Sequence, residues 1–192
     1  MQAVEHDLQQ CLTSDFPLKS GIRIPGIWTM FEAGIRAILG QQISVVAARN
    51  LVEKLVANLG ERVEENKNSP FNGHYLFPTA KSIATSELEF LKIPGSRKQT
   101  LRNLAQHYID HQNPNAPEHW LSLKGIGPWT VDYAQLRGLS APDIFLGGDL
   151  GVKKALEKAS GRDGTSELSG NAHEFNPESA SPWRSYLTFQ LW

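Results

Sequence analysis

A single cysteine in 192 residues, Cys11, excludes a disulfide framework and a cysteine-ligated metal or iron–sulfur centre. A reducing compartment fits that count. No apolar run approaches the ~20 residues of a membrane span, and Met1 is not followed by the charged-then-apolar pattern of a signal peptide. No stretch alternates apolar and polar residues as a half-buried strand does, and no repeat recurs. The six histidines, at 6, 74, 107, 111, 119 and 173, lack the HExxH pattern. His107 and His111 stand one helical turn apart without a third ligand, and are read as part of a solvated face. The net charge of −1 carries no sign of a polyanionic partner.

What the chain does have is helical periodicity. Forty per cent hydrophobic and twenty per cent charged residues give one large domain or two small lobes with a real core. Trp28, Phe31, Ile35, Ile38 and Leu39 repeat at helical spacing until Gly40, and Trp28 is assigned to the core with them. Ser44 is placed to cap a long amphipathic helix running to Leu59. The segment 61–75 is polar and turn-rich, a surface loop. Thr79 and Ser86 read as N-caps of two short helices ending near Ile93. Arg97 to about His111 forms the next helix, and 118–123 another. Residues 3–12 allow a short helix, followed by a connector rich in proline and glycine. Residues 1–20 are therefore set apart as a linker helix or the end of an upstream domain, and 21–192 as the main body. The expectation is an all-α fold of about ten short helices.

Charge is unevenly spread. Residues 21–60 carry four basic and two acidic side chains and 81–154 nine against seven, while the rest sum to −5. A mild basic bias thus coincides with the segments that carry motifs.

The most informative stretch is LSLKGIGPWTVDYAQLRGLSAPDIFLGGDLGVKKA, residues 121–155. Gly125-Ile126-Gly127 is too glycine-rich to continue a helix and lets the chain reverse. Pro128 suits the first position of a second helix, which ends at Gly138. Such a turn presents backbone N–H groups at a helix N-terminus with no bulky side chains, a seat for phosphate oxygens. It is equally the ordinary chemistry of a tight connection between helices. Trp129 and Tyr133 lie one turn apart on one face of the second helix. Asp149 stands between two glycines and a further amphipathic helix that runs to about Ser160. By position it is an N-cap.

This stretch resembles the helix–hairpin–helix DNA glycosylases, and more narrowly the bacterial 3-methyladenine DNA glycosylase II group. RIPGIWTMFEAGIRAILGQQIS at 23–44, FPT at 77–79 and SPWRSYLTFQLW at 181–192 extend the resemblance from about Gly21 to the last residue. It weakens at 61–76 and at 160–180, where 161–181 reads as a Gly/Ser/Asn/Glu-rich surface loop before a last helix over Pro182 to Trp192.

The resemblance implies two helical lobes flanking a DNA-binding cleft, with the hairpin and the aspartate at its lip. It implies that Lys124, Gly125, Ile126 and Gly127 hold the DNA backbone, where relatives also keep a monovalent cation; no other metal and no cofactor are expected. Gln42 falls where relatives insert a side chain into the gap left by a flipped nucleotide, although the narrow group often has an apolar residue there. Trp129, Tyr133 and Trp183 match aromatic positions lining the base pocket, with core packing the alternative use of each. Trp192 is assigned to the core, and Arg184 and Ser185 to bracing the last helix. Asp149, not Asp132 or Asp143, matches the catalytic residue. A carboxylate facing a helix N-terminus suits charge stabilisation better than acid catalysis. Bifunctional relatives carry a Schiff-base lysine where this chain has Trp129, so strand cleavage is not expected. The implied activity is monofunctional excision of alkylated bases from double-stranded DNA, by a monomer in the bacterial cytoplasm with no membrane partner. The rival readings are a non-catalytic module that binds DNA or senses alkylation, and a glycosylase for another lesion.

Overall fold

A computed structural model of the chain describes residues 19–64, 70, 72–159 and 176–192. The helix expected over 3–12, Cys11 and most of the 161–181 loop lie outside the described residues. Within them the fold is all-α. Seven α-helices are present: α1 (Met30–Gly40), α2 (Val45–Leu59), α3 (Ala80–Thr85), α4 (Gly95–Asp110), α5 (Pro128–Gly138), α6 (Leu150–Ala159) and α7 (Arg184–Leu191). Two 3-10 helices, Pro117–Ser122 and Pro177–Ala180, complete the set. No helix among these is long and apolar enough to cross a membrane. The chain forms two compact units, one being Ile27–Ala134 and the other joining the stretch that ends at Gly26 to Gln135–Trp192.

In the first unit α1 is buried along nearly its whole length. It starts two residues later than the periodicity suggests, at Met30 instead of Trp28. Thr29 is the N-cap, its hydroxyl accepting the Glu32 N–H at 3.1 Å. Trp28 therefore precedes the helix and lies off its buried face; it is 97% exposed, not in the core. Gly34 permits a close contact between helices, since a Cβ there would come within 2.7 Å of Leu104 Cδ2 and 2.8 Å of Trp120 Cζ3. Trp120 itself is fully buried and donates its indole N–H to Pro114 O at 3.0 Å. Truncating a core aromatic of this size typically costs about 3–5 kcal/mol. Ile35, Ile38, Leu39, Leu55, Ile83, Leu101 and Leu104 are among the side chains that fill this core.

Ser44 caps α2 as its position suggests, accepting the Ala47 N–H at 3.2 Å. Thr79 caps α3 in the same way, at 3.1 Å from Ser82 N. Ser86 does not start a helix. Leu88 adopts a left-handed φ of 54°, which stops helical propagation, and its side chain enters the core. The helix expected at 118–123 is a 3-10 turn beginning at Pro117. Within the segment expected as a loop over 61–75, Arg62 pairs with Tyr75 across an antiparallel bridge, flanked by Val63 N–H to His74 O at 2.8 Å. That local pairing carries too little alternation to be visible in the sequence.

His107 is also a correction. It is buried on α4 rather than solvated, stacked on His111 with ring centroids 4.0 Å apart. Its Nε2 has no hydrogen-bond partner among the described residues. Burial, with the nearby His111 and His119 charges, lowers its pKa below the ordinary 6.5, and Asp110 opposes the shift. Above 6.5 both states hold the neutral ring. As pH falls below that value the unfolded chain takes up a proton that the folded chain resists, so stability declines. We expect urea midpoints to fall between pH 7 and 5, with this part of the slope at most ~1.4 kcal/mol per pH unit and absent in His107→Leu. An unchanged slope in that variant would remove His107 as the cause.

The second unit is held by a side-chain ladder. The segment 141–146 runs beside α7, and Ser185 and Thr188 stitch it there. Ser185 Oγ donates to Ala141 O at 2.6 Å and accepts Ile144 N–H at 2.9 Å; Thr188 Oγ1 accepts Leu146 N–H at 3.2 Å. Arg184 pairs with Asp143 at 2.7 Å and with Glu178 at 2.8 Å. That pairing holds the Asp143 carboxyl below its ordinary range. These contacts anchor the chain immediately before Gly147-Gly148-Asp149. Val152 of α6 packs with Ala180, Leu187 and Leu191, and Phe145, Leu156, Trp183 and Tyr186 close this smaller core. The last helix is shorter than expected, because Trp183 has non-helical angles and serves as its N-cap.

Candidate functional site

The candidate residues divide between the two units. In the first, the turn Lys124–Gly127 joins the 3-10 helix to α5. Gly125 has φ 91°, a conformation that glycine alone adopts without strain. Thr100 lies directly behind it, with Oγ1 3.1 Å from Lys124 O, and a Cβ on Gly125 would run into that hydroxyl. Ile126 is the turn's apolar anchor and is buried. Gly127 differs from Gly125, since a Cβ there would meet nothing within 4 Å. Its carbonyl accepts Thr130 N–H at 3.0 Å, so α5 begins at once and aims its first N–H groups out of the turn.

A residue the sequence reading passed over ties this turn to the next candidate. Gln41 Nε2 donates to Gly125 O and to Thr130 Oγ1, both at 3.1 Å. Gln42 follows it, exposed and with a left-handed φ of 57°. Ile43, Val45 and Val46 beside it are exposed too. A solvent-facing side chain on a strained backbone, among exposed aliphatic groups, is costly for the fold alone. Only the polarity of Gln41 hinted at its role; the 84 residues separating it from Gly125 left no local signal.

On α5, Trp129 and Tyr133 are partly buried and in tilted ring contact, with centroids 5.4 Å apart and planes inclined by 32°. Asp132, between them in sequence, has its carboxyl pKa raised by burial.

In the second unit Asp149 is the N-cap of α6. Its Oδ1 accepts Gly151 N–H at 2.8 Å and Val152 N–H at 3.2 Å. A third donor, the indole N–H of Trp192, reaches the same oxygen at 3.0 Å. Trp192 is thus a correction. It lies just past the end of α7, is 39% exposed, and turns its one polar atom to the carboxylate instead of entering the core. Trp183 is partly buried, edge-on to Tyr186 at 6.0 Å, against the core that contains Val152. Asp143 is occupied by Arg184 and Ser181, which fits a structural role. No cluster of three or more metal-ligating side chains occurs among the described residues.

The family model of the HhH-GPD superfamily base excision DNA repair proteins matches residues 35–175, which contain the hairpin, Gln42 and Asp149. The chain belongs to the HhH-GPD superfamily. Among curated proteins it is 30% identical over 185 residues to DNA-3-methyladenine glycosylase 2 of Escherichia coli (strain K12), covering 91% of this chain and 61% of that protein. The 3-methyladenine DNA-glycosylase structure from Archaeoglobus fulgidus superposes with a TM-score of 0.64 at 27% identity, covering 85% of this chain and 57% of that one. The Schizosaccaromyces pombe 3-methyladenine DNA glycosylase, solved with abasic DNA, matches 100% of this chain and 95% of its own with a TM-score of 0.67. At 18% identity it shows the HhH-GPD fold alone. The chain spans about three-fifths of the length of the Escherichia coli relative.

Proposed function

We propose that this chain is a monofunctional DNA glycosylase that hydrolyses the N-glycosidic bond of alkylated bases, 3-methyladenine foremost, in double-stranded DNA. The observation that carries the reading is Asp149, a carboxylate held by three N–H donors at the start of α6. A phosphate-binding module has no use for it. The 30% identity to DNA-3-methyladenine glycosylase 2 supports the choice of lesion.

The chemistry follows from the substrate. A base inside the stack hides its glycosidic bond, so it must be extruded, which is cheapest for damaged bases. The hairpin N–H groups and Lys124 grip the backbone, contacts that position DNA without reading sequence. Gln42 holds the vacated space. Trp129, Tyr133 and Trp183 offer electron-rich faces to an electron-poor, cationic base. The carbon–nitrogen bond then breaks, and its electron pair leaves with the base, which departs neutral. The sugar is left oxocarbenium-like, and the Asp149 carboxylate stabilises that charge. Water adds to the sugar carbon and gives up a proton, for which Asp149 is an acceptor. No acid is needed for a leaving group that is already cationic, unlike ordinary two-carboxylate glycosidases.

Two experiments test this reading. Incubated with oligomers carrying single defined lesions, the chain should release free 3-methyladenine, leaving strands that break only after alkali or heat. Borohydride should trap no protein–DNA adduct, because Trp129 cannot form a Schiff base. Binding without base release would leave the non-catalytic module as the reading, and a trapped adduct would assign nucleophilic chemistry to a lysine.

The wedge has its own test. Gln42→Gly removes the side chain while relaxing the left-handed backbone, so the fold should be retained or slightly more stable. Excision from fully paired duplex should drop about tenfold, which is the effect of roughly 1.4 kcal/mol. Excision opposite an abasic gap should change little. Equal losses on both substrates would remove Gln42 from that role.

A further inference from the structure

We propose that Trp192 is a positioning residue for Asp149, an inference that rests on the reading of Asp149 as the catalytic carboxylate. The backbone of α6 supplies two donors to Oδ1, from Gly151 at 2.8 Å and Val152 at 3.2 Å. Those two bonds are what any N-cap aspartate makes, and they restrain one oxygen only in the direction of the helix axis. The indole N–H of Trp192 reaches the same oxygen from α7, at 3.0 Å. A donor from a second element fixes the plane of the carboxylate, and with it the direction of Oδ2.

The surroundings are shaped for this contact. Trp192 lies at the C-cap of α7, where its backbone N–H bonds Thr188 O at 3.1 Å, so the residue is tied to the helix end. Its ring stands edge-on to Phe189, with centroids 5.1 Å apart, which sets the orientation of the indole. Phe189 is in turn covered by the Arg137 guanidinium, 5.9 Å from the ring centroid. On the other side, Gly151 lies against both the carboxylate and the indole. A Cβ there would lie 3.0 Å from Asp149 Oδ1, crowding the carboxylate, and 3.4 Å from Trp192 Cδ1, in ordinary contact with the indole. Packing alone would not turn the one polar atom of a partly exposed tryptophan onto a carboxylate.

Catalytic groups work when their orientation is set before the reaction, and supporting hydrogen bonds set it. A carboxylate free to rotate spends part of its time with its charge misdirected.

Trp192→Phe deletes the N–H and keeps an aromatic ring against Phe189. Single-turnover excision of 3-methyladenine from duplex should fall about tenfold, with duplex affinity and melting temperature unchanged. In the Asp149→Asn background the same substitution should have no further effect, because the group it positions is gone. Undiminished excision by Trp192→Phe would overturn the proposal, as would an equal loss in both backgrounds, or a loss explained by reduced folded protein at the assay temperature. If Asp149→Asn itself excises normally, the reading of Asp149 fails instead, and the two failures are told apart by that single variant.

Discussion

Asp149→Asn is expected to fold, to bind duplex DNA, and to lose base excision by ~100-fold or more, a barrier increase of at least ~2.7 kcal/mol. The asparagine side chain has the same shape and its carbonyl oxygen can still accept the Gly151 and Val152 N–H groups, so α6 keeps its cap. The ladder that anchors 141–146 to α7 does not involve position 149. Stability should therefore change by well under ~1 kcal/mol. What the substitution removes is the negative charge. Charge fixed in place before the reaction is worth most where water is excluded, and deleting one such group typically costs ~100-fold or more. A melting curve and a duplex titration beside the rate measurement separate the two effects. A mutant that fails to fold would show the cap to be the larger role.

The second large effect concerns the two hairpin glycines, which the structure sets apart. Gly125→Ala should destabilise the protein by roughly 2–5 kcal/mol. About 1–2 kcal/mol of this comes from forcing a left-handed backbone on alanine, and about 1–3 kcal/mol from driving the methyl group into Thr100. For a chain of this size that lowers the melting temperature on the order of 10 °C. Gly127→Val should leave melting nearly unchanged, because a Cβ at 127 meets nothing. It should still weaken binding to damaged and undamaged duplex by similar factors of about ten, ~1.4 kcal/mol, by blocking the approach of a phosphate. Equal melting of the two variants would contradict the assigned geometry of the turn. A loss by Gly127→Val confined to damaged DNA would move the turn from backbone grip to base recognition.

Much of this was legible in the sequence because its signals are local. Ser44 and Thr79 cap helices through their own side chains, and Gly125, Pro128 and Gly138 punctuate the chain by backbone preference. Asp149 is an N-cap by position alone. Differences arose where a helix start lies beyond the first apolar residue of its period or where a distant partner decided. Trp28 fits the apolar period of α1, yet Thr29-Met30-Phe31-Glu32 contains a capping signature that starts the helix after it. Ser86 resembles Thr79 until Leu88 turns left-handed to reach the core. His107 on α4 and His111 at its C-cap stand one turn apart, and only packing decides which of them is buried. Gln41 on Gly125 and Trp192 on Asp149 are contacts across 84 and 43 residues, beyond any local pattern.

The measurement that bears most directly on the account is the single-turnover rate of base release by wild-type and Asp149→Asn protein on matched duplexes with different leaving groups. If the carboxylate stabilises the developing sugar cation, its removal should matter least for a base that leaves easily. The wild-type to mutant ratio should be small for the cationic lesions N7-methylguanine and 3-methyladenine, and largest for a neutral base. Near-wild-type release by the folded mutant on every substrate would contradict the account and leave Asp149 as the cap of α6.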